Sequence, residues 1–295
     1  MVIFAGRPDL RVMRADYSRA SSIVIITFVY LFAIAVGFFS YGELCGSMSE
    51  TLALLLADVI ATLAVWGFGL IFENVSVYDP YWSVAPPVMF TGWAVFKHCF
   101  TLPVILLLIA TWYWGIRLTG NWAKTFKGLS HEDWRYTRYR KTFSPVLFQI
   151  TNLFGLNMMP TLLVFACMIP GFRLFGITDS ANWLTWLGFA ICISSATIQL
   201  VADTQSHRFR AEHPGQVCNV GLWKHGRHPN YFGEIQMWWG VWVMYASFCG
   251  IDWLVLCPIA MTALFLFISI PMMERRQLEN KPGYSDYRKV TRLLI

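Results

Sequence analysis

Charged residues are scarce in this 295-residue sequence. They make up 14% of it, against about a quarter of an ordinary soluble domain. Hydrophobic residues make up 56%, and the mean hydropathy is +0.50. This balance excludes an ordinary water-soluble globular protein.

Three nucleotide or metal motifs are also missing. The sequence has no G-x-G-x-x-G, no G-x-x-x-x-G-K-[ST] and no H-E-x-x-H, which excludes the usual soluble dinucleotide, P-loop and helical zinc sites. Its seven cysteines include no C-x-x-C pair, so they indicate buried apolar positions and no paired-cysteine zinc or redox site.

Long apolar runs dominate what is present. Because about 20 apolar residues cross a bilayer as a helix, we expect an all-α integral membrane protein, a bundle of seven or eight transmembrane helices. The count depends on the run 84–98, which contains Pro86 and Pro87 and ends in a basic residue. The runs are 22–39, 52–72, 84–98, 100–118, 145–169, 182–202, 232–249 and 253–271.

The basic residues show how these helices are oriented. With Arg117 included, the polar segments 1–21, 119–144, 203–231 and 272–295 hold 21 of the 23 Lys and Arg residues. By the positive-inside rule they face the cytoplasm, together with both termini. The formal charge of +6 therefore indicates topology and the bilayer as partner, and no nucleic acid. We expect one polytopic domain over 1–295, in the inner membrane of a bacterium or the endoplasmic reticulum of a eukaryote.

Polar and ionisable groups crowd the segment 199–239. Asp203, His207 and Arg210 are spaced i, i+4, i+7, which places them on one face of a helix. Asn230 and Glu234 share a face of the next helix. Such a constellation suits a polar, phosphorylated ligand.

Two simpler interpretations of this segment stay open. In one interpretation, its basic loops serve only topology and contact with anionic headgroups, with Asp203 paired to Arg208 or Lys224. Its four histidines are metal ligands in the other interpretation, but their spacing matches no common zinc pattern. We therefore predict no metal site.

The same segment, followed by the tail PGYSDYRKVTRLLI, resembles the carboxyl-terminal half of the steroid 5-alpha-reductase family, in particular a bacterial branch. The resemblance extends over roughly 100–295, which it marks as an NADPH-binding region, and is weaker over 1–99. It implies a bundle of about seven helices with NADPH between the later ones. The residues that it assigns to the cofactor, with Arg227 added as a further phosphate donor, are Arg117, Asp203, Arg210, Arg227, Asn230, Glu234, Tyr284 and Tyr287.

The resemblance also implies a reaction. Family members reduce a carbon–carbon double bond conjugated to a carbonyl, using a carboxylic acid and a tyrosine to polarise that carbonyl. Here Asp79 stands where the family has glutamate, with Glu73 as the other candidate. Trp114 occupies the tyrosine position, and Tyr113 precedes it. The implied substrate is a steroid or another lipid enone. Asp79 has a second interpretation as a helix N-cap ahead of Pro80.

Two rival functions remain. The stretch GRHPNYFGE also resembles the R-H-P-x-Y-x-G motif of isoprenylcysteine and phospholipid methyltransferases, and MERRQLENK resembles their tail. That resemblance implies S-adenosylmethionine as the cofactor. A non-catalytic lipid or sterol binder is the third possibility, favoured by Trp114 at the tyrosine position. The sequence does not indicate an oligomeric state.

Overall fold

The computed structural model describes residues 17–178 and 180–295, which form helices and loops with no β-strand. The predicted all-α class is confirmed. Arg7, Arg11 and Arg14 of the predicted cytoplasmic arm lie outside the described residues. The α-helices are α1 (Arg19–Leu44), α2 (Glu50–Ile71), α3 (Tyr81–Phe96), α4 (Leu102–Thr125), α5 (Trp134–Thr142), α6 (Pro145–Ile150), α7 (Met159–Arg173), α8 (Trp183–Glu212), α9 (Pro229–Cys249), α10 (Leu256–Leu264), α11 (Ile270–Asn280) and α12 (Tyr284–Val290).

Several of these helices are suited to a bilayer. Among the described residues, six helical stretches are long and apolar enough to cross it. Six of the eight predicted runs overlap them, so the chain is an all-α membrane protein. The six stretches are Arg19–Leu44, Glu50–Ile71, Leu102–Thr125, Pro145–Gly176, Trp183–Glu212 and Trp253–Asn280.

The other two predicted runs form helices outside this group of six. Helix α3 has 16 residues with Pro86 and Pro87 inside it, which corresponds to about 24 Å. Helix α9 has 21 residues, but Asn230, Glu234 and Gln236 lower its hydropathy. Both runs are therefore helical, although neither has the length and hydropathy typical of an independent span.

Two spans contain π-helical turns. Thr151–Met158 connects α6 to α7, and Phe265–Ser269 connects α10 to α11. A π-turn inserts an extra residue into a helix and re-aims the side chains beyond it, often at functional positions. The first π-turn bears two buried asparagines, Asn152 and Asn157.

The chain divides into two compact units. The first contains residues 17–82 and 122–162, and the second contains 83–121 and 163–295. In the first unit, the Tyr30 hydroxyl donates to the carbonyl of Val77 at 2.9 Å, and the Asn74 amide donates to the carbonyl of Leu129 at 2.7 Å. These bonds hold the loop between α2 and α3 against α1 and the segment after α4.

The second unit is built on close packing of α8 against α9. A Cβ added to Gly240 would lie 2.5 Å from Cys192 Sγ, and one added to Gly188 would lie 2.7 Å from the Gly240 carbonyl oxygen. Small residues let helix backbones approach closely inside membranes. This close packing brings the polar ends of α8 and α9 together.

Candidate functional site

A buried carboxylate on α9 is the centre of a polar network in the second unit. Glu234 Oε2 accepts hydrogen bonds from the Trp114 indole at 2.9 Å and from the Gln199 amide at 2.8 Å. Its Oε1 accepts from the Trp238 indole at 3.1 Å. All four side chains are buried. Three N–H donors thus meet the requirement that a buried carboxylate be hydrogen-bonded.

Arg117 on α4 supplies the positive charge of this network. Its Nη1 lies 3.3 Å from Asp203 Oδ2, and its Nη2 lies 3.7 Å from Glu234 Oε2. Nη2 also donates to the side-chain amide oxygen of Gln199. The buried Nε of Arg117 has no hydrogen-bond partner among the described residues. The guanidinium therefore bridges two carboxylates and keeps one donor unused.

Helical spacing explains why these side chains converge. Gln199 and Asp203 are i, i+4 on α8, and Asn230 and Glu234 are i, i+4 on α9. The Asn230 amide lies 3.5 Å from Asp203 Oδ1. A Cβ on Gly233, between the two α9 residues, would lie 2.5 Å from Gln199 Cγ. Glycine at this position allows the contact. We call the set Trp114, Arg117, Gln199, Asp203, Asn230, Glu234 and Trp238 the α4–α8–α9 network.

Arg210 lies beside this network, in the last turn of α8. Its guanidinium donates to the carbonyl oxygen of Ser206 at 3.1 Å and to the Ser206 hydroxyl at 2.8 Å. The simpler pairing of Asp203 with Arg208 is not what the structure has. Asp203 pairs with Arg117, whereas Arg208 forms an exposed ion pair with Glu212 at 3.1 Å.

A second polar cluster joins the loop before α9 to the carboxyl-terminal segment. Arg227 Nε donates to Glu274 Oε1 at 2.7 Å, and Arg288 Nε lies 3.2 Å from Glu274 Oε2. Arg227 also donates to the Thr291 carbonyl at 2.5 Å. His228, next to Arg227, is buried, and burial lowers its pKa to about 4. We call this set, with Tyr284 and Tyr287, the carboxyl-terminal clamp.

The two tyrosines of the clamp contact each other and the loop. Their ring centroids are 5.8 Å apart, and the Tyr287 hydroxyl donates to the carbonyl of Trp223. Burial raises the pKa of Tyr284 to about 12, so its hydroxyl stays protonated at neutral pH. The structure thus places Arg227, Tyr284 and Tyr287 together, in a cluster with its own acid, Glu274.

The proton-donor candidates have different surroundings. Tyr113 is on α4, and its hydroxyl lies 3.1 Å from the Thr197 hydroxyl. Its neighbour Trp114 points into the α4–α8–α9 network, where it binds Glu234. The position that the resemblance to steroid 5-alpha-reductases matches to their tyrosine is therefore occupied here by an indole that donates to a carboxylate.

Asp79 and Glu73 belong to the first unit, in the loop between α2 and α3. Asp79 accepts a 2.5 Å hydrogen bond from the Tyr136 hydroxyl. Burial raises the pKa of Asp79 to about 6, although the nearby Arg135 and the bond from Tyr136 act in the opposite direction. Glu73 has an exposed side chain, and its φ of 50° is in the left-handed region.

Sequence reasoning missed several buried polar residues. The hydrogen bonds to Glu234 come from Gln199, Trp114 and Trp238, and no sequence motif marks these residues. In the first unit, Asp58 is buried on α2 and accepts a 2.7 Å bond from Tyr81. An ionisable residue inside an apolar run is itself a signal. In the described part of the chain, no three His, Cys, Asp or Glu side chains are grouped as a metal site would require.

Comparison with known proteins gives a family but no activity. The pattern of a family described as "Protein of unknown function (DUF1295)" matches residues 13–291. A protein of Schizosaccharomyces pombe, described as uncharacterized, is 21% identical over 267 residues, which cover 79% of this chain and 76% of that relative. No solved structure matches the chain. Because the family match covers nearly all of the sequence, the chain belongs to the DUF1295 family.

Proposed function

We propose that this chain is a membrane-embedded, NADPH-dependent reductase of the activated C=C bond of a hydrophobic enone, such as a 3-oxo-Δ4-steroid or another lipid enone. One observation carries the proposal. The resemblance to steroid 5-alpha-reductases assigns four residues to the cofactor that lie in one network with a buried centre: Arg117, Asp203, Asn230 and Glu234. If these residues only set the orientation of the membrane spans, four of them from three helices would not be expected to meet in one place.

The side chains of this region suit the chemical groups of NADPH. Guanidinium groups bind phosphates in planar, bidentate geometry, and Arg117 keeps a buried Nε donor without a partner among the described residues. Arg210 hydrogen-bonds Ser206 of its own helix, contacts that a phosphate can replace. Asp203 and Asn230 offer acceptors for ribose hydroxyls or for the carboxamide. NADPH, when bound, supplies the hydride.

The carboxyl-terminal clamp supports the same proposal. Arg227 is a further phosphate donor, and Tyr284 and Tyr287 offer aromatic faces for a base. Their contacts with Glu274 and the loop carbonyls would hold these groups in place before the cofactor binds. Pre-positioned binding groups reduce the entropic cost of association.

For polarising the substrate carbonyl we propose Asp79, with Tyr113 and Glu73 as the other candidates. A carboxyl with a pKa of about 6 donates a proton readily near neutral pH. Tyr113 has a hydroxyl one residue from the position that the family uses. Glu73 is exposed, which makes it the weakest of the three.

The topology we propose has seven or eight spans, with α9 and α3 added to the six apolar stretches, and both termini in the cytoplasm. The concentration of Lys and Arg in the polar segments supports it. We propose the inner membrane if the source is a bacterium and the endoplasmic reticulum if it is a eukaryote.

One observation favours a second candidate, an S-adenosylmethionine-dependent methyltransferase. The two segments that resemble those enzymes, GRHPNYFGE and MERRQLENK, are joined by the 2.7 Å ion pair of Arg227 with Glu274. The reductase is preferred because the α4–α8–α9 network also contains Asp203 and Arg117, which the methyltransferase resemblance leaves without a role.

Thermal melting of the detergent-solubilised chain separates these candidates. A ligand that binds only the folded state raises the apparent melting temperature, by about 2.7 kcal/mol of stability at 100 times its Kd. NADPH, NADH and S-adenosylmethionine are compared at equal concentration. We expect a shift with NADPH. A shift with S-adenosylmethionine alone would mean a methyltransferase, and no shift with any of them would favour a non-catalytic lipid or sterol binder.

Arg210→Ala tests the assigned pocket. Losing a charge-assisted phosphate contact costs about 1.5 to 3 kcal/mol, so we expect the Kd for NADPH to rise about 10- to 150-fold. Arg208→Ala is the matched control, because Arg208 lies on the same helix and pairs with Glu212 at the surface. Equal affinities in the two variants would contradict the pocket.

A further inference from the structure

The first unit contains a buried acid inside one of its membrane spans. Asp58 is the ninth residue of α2, so it lies about 12 Å along the axis from the start of the helix. Its side chain is buried, as are those of Thr62, Tyr81 and Thr161 around it. Ionisable residues at such a depth are rare and mark functional positions more often than structural ones.

The surroundings of Asp58 are those of a neutral carboxylic acid. An ionised carboxylate in an apolar layer requires a cation or several donors. Asp58 has one side-chain donor, the Tyr81 hydroxyl, at 2.7 Å from Oδ1. The titratable groups facing it are Tyr81 and Tyr78. With one donor and no cation beside it among the described residues, Asp58 is suited to the neutral form of a carboxylic acid.

A row of hydroxyl groups leads from Asp58 to the loop between α2 and α3. Tyr81 hydrogen-bonds Asp58, and Thr62, one turn after Asp58 on α2, lies beside Tyr81. The Thr62 and Thr161 hydroxyls are 2.9 Å apart, and the Thr161 and Tyr78 hydroxyls are 2.7 Å apart. Each hydroxyl is both a donor and an acceptor and can rotate. The hydrogen-bonded row thus leads from Tyr78 to Thr62, which lies beside the tyrosine that binds the acid.

The π-helical turn before α7 positions the middle of this row. The Thr161 hydroxyl donates to the carbonyl of Asn157 at 3.1 Å, and the Asn157 amide donates to the Asn152 side chain at 2.9 Å. A π-turn is uncommon and shifts the register of every side chain that follows it. Here the shifted residue, Thr161, is the one that joins Tyr78 to Thr62.

We propose that Asp58 is a proton-storing acid inside the bilayer and that the hydroxyl row recharges it from the loop. Asp58 gives its proton to an oxygen acceptor of a lipid-soluble molecule and takes the proton of Tyr81. Tyr81 is then reprotonated from Thr62, and Thr62 from Thr161. Thr161 takes the proton of Tyr78, which receives one from hydronium at the loop. The net change is one proton moved from water to the acceptor, with every hydroxyl restored.

This inference does not depend on the reductase proposal, and infrared spectroscopy of the full chain in lipid nanodiscs tests it without substrate. At pH 6, the difference spectrum of wild type minus Asp58→Asn should contain the C=O band of a protonated carboxylic acid. Other acids, including Asp79, cancel in the difference. The band should move to lower frequency when the buffer is changed to D₂O. Absence of the band from the difference spectrum would overturn the proposal.

Thr161→Val tests the row itself. This variant removes one hydroxyl from the row, which raises the barrier to proton exchange by about the free energy of one hydrogen bond. We therefore expect the D₂O shift of the Asp58 band to become about tenfold slower or more. Thr27→Val is the matched control, since Thr27 is exposed on α1 and bonds only the Ile23 carbonyl of its own helix among the described residues. Thr62→Val serves if Thr161→Val does not fold. Exchange as fast as in wild type would refute the relay.

Discussion

The two units bury polar side chains in opposite ways. In the second unit, the α4–α8–α9 network contains one guanidinium and two carboxylates, with Arg117 between Asp203 and Glu234. Among the described residues of the first unit, the buried polar groups inside the spans are the acid Asp58, which has no cation beside it, and hydroxyls and amides connected through Thr62 and Thr161. The network of the second unit is charged and tightly paired. The polar groups of the first unit are neutral and linked by single hydrogen bonds.

This difference determines how each unit responds to the loss of one member. A buried ion network is costly to break, because removing a cation leaves carboxylates unpaired in a low dielectric. A neutral hydrogen bond inside a membrane is worth much less, about 0.6 kcal/mol on average. Charged networks suit binding of charged ligands, whereas neutral rows suit proton movement without a large electrostatic barrier.

Arg117→Met should have the largest effect. It leaves Asp203 and Glu234 without their shared cation, so we expect a loss of about 3 to 5 kcal/mol in the free energy of unfolding, measured by thermal melting in detergent. Arg173→Met is the matched control, because Arg173 is exposed in the same unit, and should change stability by at most about 0.5 kcal/mol. Similar losses in the two variants would mean that the network is not ion-paired in solution.

The Asp79→Asn variant should have the next largest effect, and its sign depends on pH. Burial raises the pKa of Asp79 from 3.8 to about 6, so between these values the folded protein binds more protons than the unfolded chain. In wild type, the contribution of Asp79 to the free energy of unfolding is present below about pH 4 and is lost as the pH rises through about 6. Asparagine does not titrate, so the variant should gain on wild type by about 2 to 3 kcal/mol between pH 4 and 7.

Two comparisons make this pH test specific. His228, whose pKa is lowered to about 4, has the opposite pH dependence, but it is present in both proteins and cancels in the difference. Tyr136→Phe removes the hydroxyl that stabilises the ionised form of Asp79, so it should move the transition to higher pH. A difference between Asp79→Asn and wild type that stays constant between pH 4 and 7 would show that Asp79 is ionised in the folded protein across this range.

The sequence allowed the spans and half of the network to be predicted. Apolar runs of sufficient length are visible directly in the sequence. Because i, i+4 spacing is a property of any helix, Asp203 and Asn230 could each be grouped with the polar residues on the same helix face. The pairing of Asp203 with Arg117 rather than Arg208 could not be derived from residue spacing. It depends on how α4 packs on α8, and packing between distant segments is not encoded in local spacing.

The acid of the first unit was missed for a different reason. Asp58 is one polar residue in a strongly apolar run, and hydropathy averaged over about 19 residues hides it. The π-turn at Thr151–Met158 has no clear sequence signature either, although it positions Thr161. The count of spans depended on the one run that contains Pro86 and Pro87. In the structure, α3 passes through both prolines as a 16-residue helix.

Thr62→Val should have the smallest effect and gives the sharpest comparison with Arg117→Met. It removes the 2.9 Å bond to Thr161 while keeping the shape of the side chain, so we expect a loss of about 0.6 kcal/mol and at most about 1.7. Thr27→Val, at an exposed position of α1, should be neutral in the same melting experiment. If Thr62→Val instead costs as much as Arg117→Met, the hydroxyl row is a structural core of the first unit, and the contrast between a neutral row and an ionic network no longer holds.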